Sequence, residues 1–214
     1  MNDGCETVDI LGPTLIRIIN PFMVVEVVLS LRPCVYVLDI ETTSLHADSG
    51  QVVCIGLADY FDGREKIIFV KSPAVERQSL REFIEFFRRV NIYFTWGGMS
   101  FDVPFLLSRC VRLRIDPSAM LEARHIDLME IARSHLRLSS NSLQSVSRYL
   151  DMRLEEEYVG VDVPRLYSEY LAGRKGRRVV IISHCRNDLR RVLSVARILR
   201  PLVQSIHRDL PNLS

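Results

Sequence analysis

Lysine is scarce in these 214 residues: of 28 basic side chains only Lys66, Lys71 and Lys175 are lysine, and the rest are arginine. Glycine and proline are also few. Ten Gly and nine Pro exclude a low-complexity or collagen-like chain, and a balance of 48% hydrophobic to 25% charged residues excludes disorder over most of the length. Neither sign of charge is in large excess. A net charge of +2 is too small for a protein that coats nucleic acid without specificity. The arginine bias fits a GC-rich genome or a hot-living source, and four Gln and six Asn agree with the latter. Cysteines 5, 34, 54, 110 and 185 are isolated and form no C-x-x-C pair. Neither a disulfide framework nor a zinc site fits that spacing, so a reduced, cytoplasmic compartment is expected. No uninterrupted apolar run reaches the ~18 residues of a membrane span. The most apolar stretch, 14–31, is broken by Arg17, Asn20, Pro21 and Glu26, and Asp3 and Glu6 argue against a basic leader. No membrane partner is expected. Residues 1–32 are expected to form a strand or helix that packs on the domain or on a partner subunit, a second copy in a homodimer included.

The length predicts one domain over 33–200, followed by a tail at 201–214 with weak signals. Residues 34–41, 51–60 and 65–70 are β-branched or apolar runs parted by polar turns, which predicts an antiparallel meander of three strands. Ser79 is placed to cap a helix running to about Val90, with Leu80, Phe83, Phe86 and Phe87 on one face. Residues 91–96 read as a fourth strand ended by Gly97-Gly98. A helix follows over 102–111, then a fifth short strand over 124–128 and helices over 140–150, 164–172 and 180–199. That order predicts an α/β domain: a mixed sheet with helices on its faces.

Three places combine carboxylates with a reason to converge. In Asp39-Ile40-Glu41, strand alternation points both acids to one face at the end of a buried strand. Two ionised carboxylates there repel, so one takes a proton or a cation sits between them. Oxygen-only ligation favours Mg²⁺ or Mn²⁺ over zinc. Asp102 follows the Gly-Gly turn near a helix N-terminus, where capping is the plainer role. His184 and Asp188 stand four apart on a predicted helix and share a face, within the otherwise apolar set Val180, Ile181, Ile182, Leu189, Val192 and Leu193.

The ordered set Asp39, Glu41, Asp102, His184, Asp188 is far more specific than any member. LDIETTSL, TWGGMSFDVPFLLSR and HCRNDL resemble the three motifs of the DEDD exonucleases in the ribonuclease-H-like superfamily. The chain is most similar to exonucleases related to the proofreading domain of family-B DNA polymerases, over about residues 35–199, with HIDLMEIAR adding to the likeness. The resemblance implies a ribonuclease-H-like fold: five strands, the second antiparallel to the others, with helices on both faces. It implies a 3′–5′ exonuclease that releases nucleoside monophosphates from single-stranded ends, of DNA in preference to RNA, with two Mg²⁺ or Mn²⁺ ions. Asp39 and Asp188 would hold one ion, with Glu41 sharing it, and Asp39 and Asp102 would engage the second. His184 would orient and deprotonate the attacking water. Leu45 would stand as an apolar wedge at the terminal bases, and Thr42, Thr43 and Phe101 would face the terminal nucleotide. Gly97 departs from the Asn of related motifs, which predicts weaker or altered substrate binding. Three residues separate His184 from Asp188, the spacing of the tyrosine-bearing subgroup.

Chemistry supports those roles. Phosphodiester hydrolysis needs a nucleophile, a stabilised phosphorane and a neutralised leaving alkoxide, and two cations about 4 Å apart supply all three. An imidazole accepts a proton at physiological pH. Trp96, His125, Asp127 and Cys185 are read as structural. Arg109, Arg186, Arg190 and Arg191 are read as a solvated helix face, and Arg174, Lys175, Arg177 and Arg178 as an exposed loop open to a phosphate-guiding role. A ribonuclease or structure-specific endonuclease on the same scaffold, and a degenerate nucleic-acid-binding module, remain the rivals.

Overall fold

The structure, a computed structural model, describes residues 32–152 and 162–214 and the backbone of 14–20 and 23–29. In the N-terminal segment β1 (Thr14–Asn20) and β2 (Met23–Leu29) pair as an antiparallel hairpin. What that segment packs against falls on side chains outside the described residues.

The main sheet holds β3 (Val35–Thr42), β4 (Val52–Asp59), β5 (Glu65–Phe69), β6 (Ile92–Thr95) and β7 (Arg124–Asp127), in spatial order β5-β4-β3-β6-β7. Strands β3, β6 and β7 run parallel, and β4 is antiparallel to both of its neighbours, as expected. Period-two alternation splits the core. Tyr36, Leu38 and Ile40 face a layer formed with α1 (Glu76–Phe87), α2 (Asp102–Arg112) and α3 (Ser118–Glu122). Val35 and Val37 face the opposite layer, which includes α4 (Leu128–His135), α5 (Leu143–Tyr149), α6 (Val163–Leu171), α7 (Arg177–Ile198) and α8 (Arg200–Ile206). By the same alternation Asp39 and Glu41 continue the second series, toward α7.

Helix α7 lies close on the sheet because β4 carries Gly56 where a side chain would collide. A Cβ there would stand 2.5 Å from Leu189 Cδ1 and 2.7 Å from Cys185 Sγ. Gly56 is the register partner of Asp39, so the close approach falls beside the carboxylates.

Several boundaries differ from the sequence reading. Helix α1 starts at Glu76, after a 3-10 turn at Pro73–Val75, and Ser79 lies buried inside it. Proline starts that turn readily, and the Glu76 carboxylate is drawn inward to accept from Val52 N at 3.0 Å. Helices α3, α4 and α8 were not foreseen, and Val203 and Leu213 of the weakly signalled tail are buried in the core. Cys54, Cys110 and Cys185 are free and buried.

Candidate active site

The site lies at the carboxyl end of β3. Asp39 and Glu41 stand on its α7 face, just before the register shifts between Glu41 and Thr42. Helix α7 brings His184 and Asp188 against them. His184 Nε2 lies 3.8 Å from Glu41 Oε1 and 3.6 Å from Asp188 Oδ2. Arg191 Nη1 donates to Asp188 Oδ1 at 3.2 Å, a contact the sequence reading missed; its signal is the i, i+3 spacing.

Asp102 arrives from the other side of the sheet. It is the first residue of α2, where its carboxylate meets its own backbone N–H, but it is not the residue in the capping position. The helix has no side-chain cap, and Asp102 Oδ1 instead accepts from Ile40 N at 3.2 Å, between the two site acids. Its turn is held by Asp127 at the end of β7. That carboxylate accepts from Gly97 N at 2.8 Å, Met99 N at 2.9 Å and Met129 N at 3.0 Å. Gly97 has φ +76°, a conformation a non-glycine residue adopts at a cost. Its identity is therefore explained by the path of the backbone into α2.

Electrostatics agree with convergence. Burial is the first cause of a raised pKa at Asp39, and Glu41, Asp102 and Asp188 push it further. Burial, then Asp188 and Asp102, lift Glu41 to about 8. Burial, with a contribution from Asp127, lifts Asp102 to about 7 against the lowering hydrogen bonds from its own and the Ile40 backbone. Burial first, and for Asp39 and Glu41 the neighbouring carboxylates next, disfavours the charged form of these acids.

The carboxylates suit a hard divalent cation, and a thiol or an imidazole stands beside them in each group of donors. Ligand atoms of Glu41, His184 and Asp188 lie within 4.8 Å of one another, and so do those of Asp39, Glu41 and Cys185. Buried carboxylates that repel one another gain most from a cation placed among them.

The remaining expected residues divide. Leu45 is 77% exposed on the loop after β3, and Met99, which the sequence reading did not single out, is 61% exposed after the Gly-Gly turn. Phe101 is half-buried, its ring 5.7 Å from Phe105. Thr42 and Thr43 serve the loop: Thr42 Oγ1 donates to Ser44 O at 2.7 Å, and Thr43 Oγ1 accepts from Gln51 N at 3.0 Å. Trp96 packs half-buried against the core, and His125 stacks on Tyr93 and bonds Thr95 Oγ1 at 2.8 Å. Arg186 and Arg190 pair with Glu65. Arg109 is half-buried and paired with Glu76 rather than solvated.

The sheet is mixed and five-stranded, and the acids stand at the end of its central strand. Residues 36–200 match the model of the RNase H superfamily, and the chain belongs to that superfamily. Its fold is similar to a family B DNA polymerase from the hyperthermophilic archaeon Pyrobaculum calidifontis, at TM-score 0.67 and 18% identity, covering 83% of this chain and 26% of that one. The chain thus spans about a quarter of that polymerase. No curated protein matches it. Among the described residues no helix is long and apolar enough to cross a membrane.

Proposed function

We propose that this RNase H superfamily member is a metal-dependent 3′–5′ exonuclease that trims single-stranded ends, of DNA in preference to RNA, to nucleoside monophosphates. The observation that carries the reading is the meeting of buried and half-buried, mutually repelling acids from three distant segments beside an imidazole. Asp39, Glu41 and Asp188 would hold one Mg²⁺ or Mn²⁺, and Asp39 and Asp102 a second. Such ions supply Lewis acidity toward the phosphate and charge compensation at the leaving oxygen. The protein's own part is to fix the acids on rigid elements and to exclude bulk water from them. His184, half-exposed and between two carboxylates, accepts the proton that the attacking water loses. The apolar Leu45 and Met99, exposed at the rim, contact the terminal bases.

The test uses single strands of DNA and RNA, labelled at either end, with Mg²⁺, with EDTA and with Asp39→Ala. The reading expects a stepwise ladder from the 3′ end that disappears with EDTA and in the variant. A single internal cut would make the protein an endonuclease, and undiminished cleavage by Asp39→Ala would refute the site.

A further inference from the structure

Resting on the exonuclease reading, we propose that Arg109 is a positioning residue: its guanidinium ties the base-contacting loop to the helix that carries Asp102. The loop spans residues 43–51, between β3 and β4. Its neck is closed by Thr43 N donating to Gln51 O at 3.0 Å, and its tip is pinned by Ser44 Oγ and Ser49 Oγ, 3.1 Å apart. These bonds shape the loop but do not aim it.

Aim comes from α2. Arg109 Nη1 donates to Ala47 O at 3.0 Å, two residues from the exposed Leu45. The same guanidinium binds Glu76 through Nε at 2.9 Å and Nη2 at 2.5 Å. Glu76 in turn accepts from Val52 N, the first residue of β4. Side-chain exposure is only 12% for Arg109 and 3% for Glu76, so water does not screen the pair. One planar fork therefore joins α1, the start of β4 and the loop tip to α2, two turns along from Asp102.

Lysine cannot replace it. A single ammonium can meet Glu76, but it lacks the rigid second arm that reaches Ala47. The consequence is a fixed spacing between the apolar end-reader and the acids. Arg109 touches no reacting atom and acts through Leu45.

The experiment measures anisotropy of a labelled short single strand with Ca²⁺ in place of Mg²⁺, and KM and kcat of its hydrolysis with Mg²⁺, in four proteins: parent, Arg109→Lys, Leu45→Ala and the double variant. Arg109→Lys is expected to weaken binding and raise KM about tenfold, with kcat within about twofold of the parent. The double variant is expected to be no worse than the worse single variant, because both act through one contact. Should Arg109→Lys not fold, as judged by circular dichroism, Arg109→Gln with Glu76→Gln removes both charges, keeps an acceptor for Val52 N, and is expected to show the same rise in KM. A fall in kcat at unchanged KM, or two effects that multiply, overturns the proposal. A parent that binds the strand without cutting it sinks the exonuclease reading alone, while the binding series still decides on Arg109. A parent that binds no strand sinks both.

Discussion

Two buried acids, one opening α1 and one at the end of β3, receive opposite treatment. Glu76 is 2% exposed and meets a fixed guanidinium and a backbone N–H, so its charge is compensated within the fold. Glu41 is 9% exposed and faces Asp39, Asp102 and Asp188, with His184 3.8 Å away. Where an acid serves architecture, the chain supplies the cation. At the end of β3 it leaves carboxylates to repel one another, an arrangement that costs stability and is relieved by an ion from outside.

The largest expected effect breaks the uncompensated side. Asp39→Ala should lower strand hydrolysis by several orders of magnitude, while the metal-free protein melts at or above the parent temperature because repulsion is relieved. A labelled-strand assay beside a thermal melt checks both halves. The compensated side should respond the opposite way. Arg109→Met strands a buried carboxylate and should cost about 3–5 kcal/mol in a denaturant titration.

A smaller effect is expected where the two layers touch. Gly56→Ala places a Cβ 2.5 Å from Leu189 Cδ1, so α7 must move away from β4. We expect a loss of about 1–3 kcal/mol and weaker Mn²⁺ binding, read by melting with and without the ion. A separate expectation is a pH trend in the metal-free protein. Glu41 and Asp102 titrate near 8 and 7 in the fold, above the ordinary carboxylate values of 4.5 and 3.8. The folded state then keeps protons that the unfolded chain releases, so stability should fall as pH rises from about 5 to about 8. Saturating Mn²⁺ should flatten the trend, and a melting temperature that climbs over this range without metal would contradict it.

Much of this was legible in the sequence because it follows short-range rules. Alternation in VYVLDIE put Asp39 and Glu41 on one face, and an i, i+4 spacing put His184 beside Asp188. The less legible features depend on contacts between distant segments. Asp102 looked like a cap because it opens a helix, yet it serves Ile40, 62 residues away. Arg109 looked solvated because its partner lies 33 residues upstream on another helix. Gly56 carries no motif, and its need appears only once α7 is docked. Helix α4 did leave a local trace: Asp127 caps it by accepting from Met129 N, with Glu130 three residues on.

The central claim is that the acids at the end of β3 form a divalent-cation site. Isothermal titration with Mn²⁺ at about pH 7.5, in two buffers of different ionisation heat, tests it most directly. The account predicts saturable binding of two ions with proton release, since groups titrating near 7 and 8 must give up protons to bind metal, and severe weakening in Asp39→Asn. Absence of binding, or equal binding by parent and variant, would contradict it.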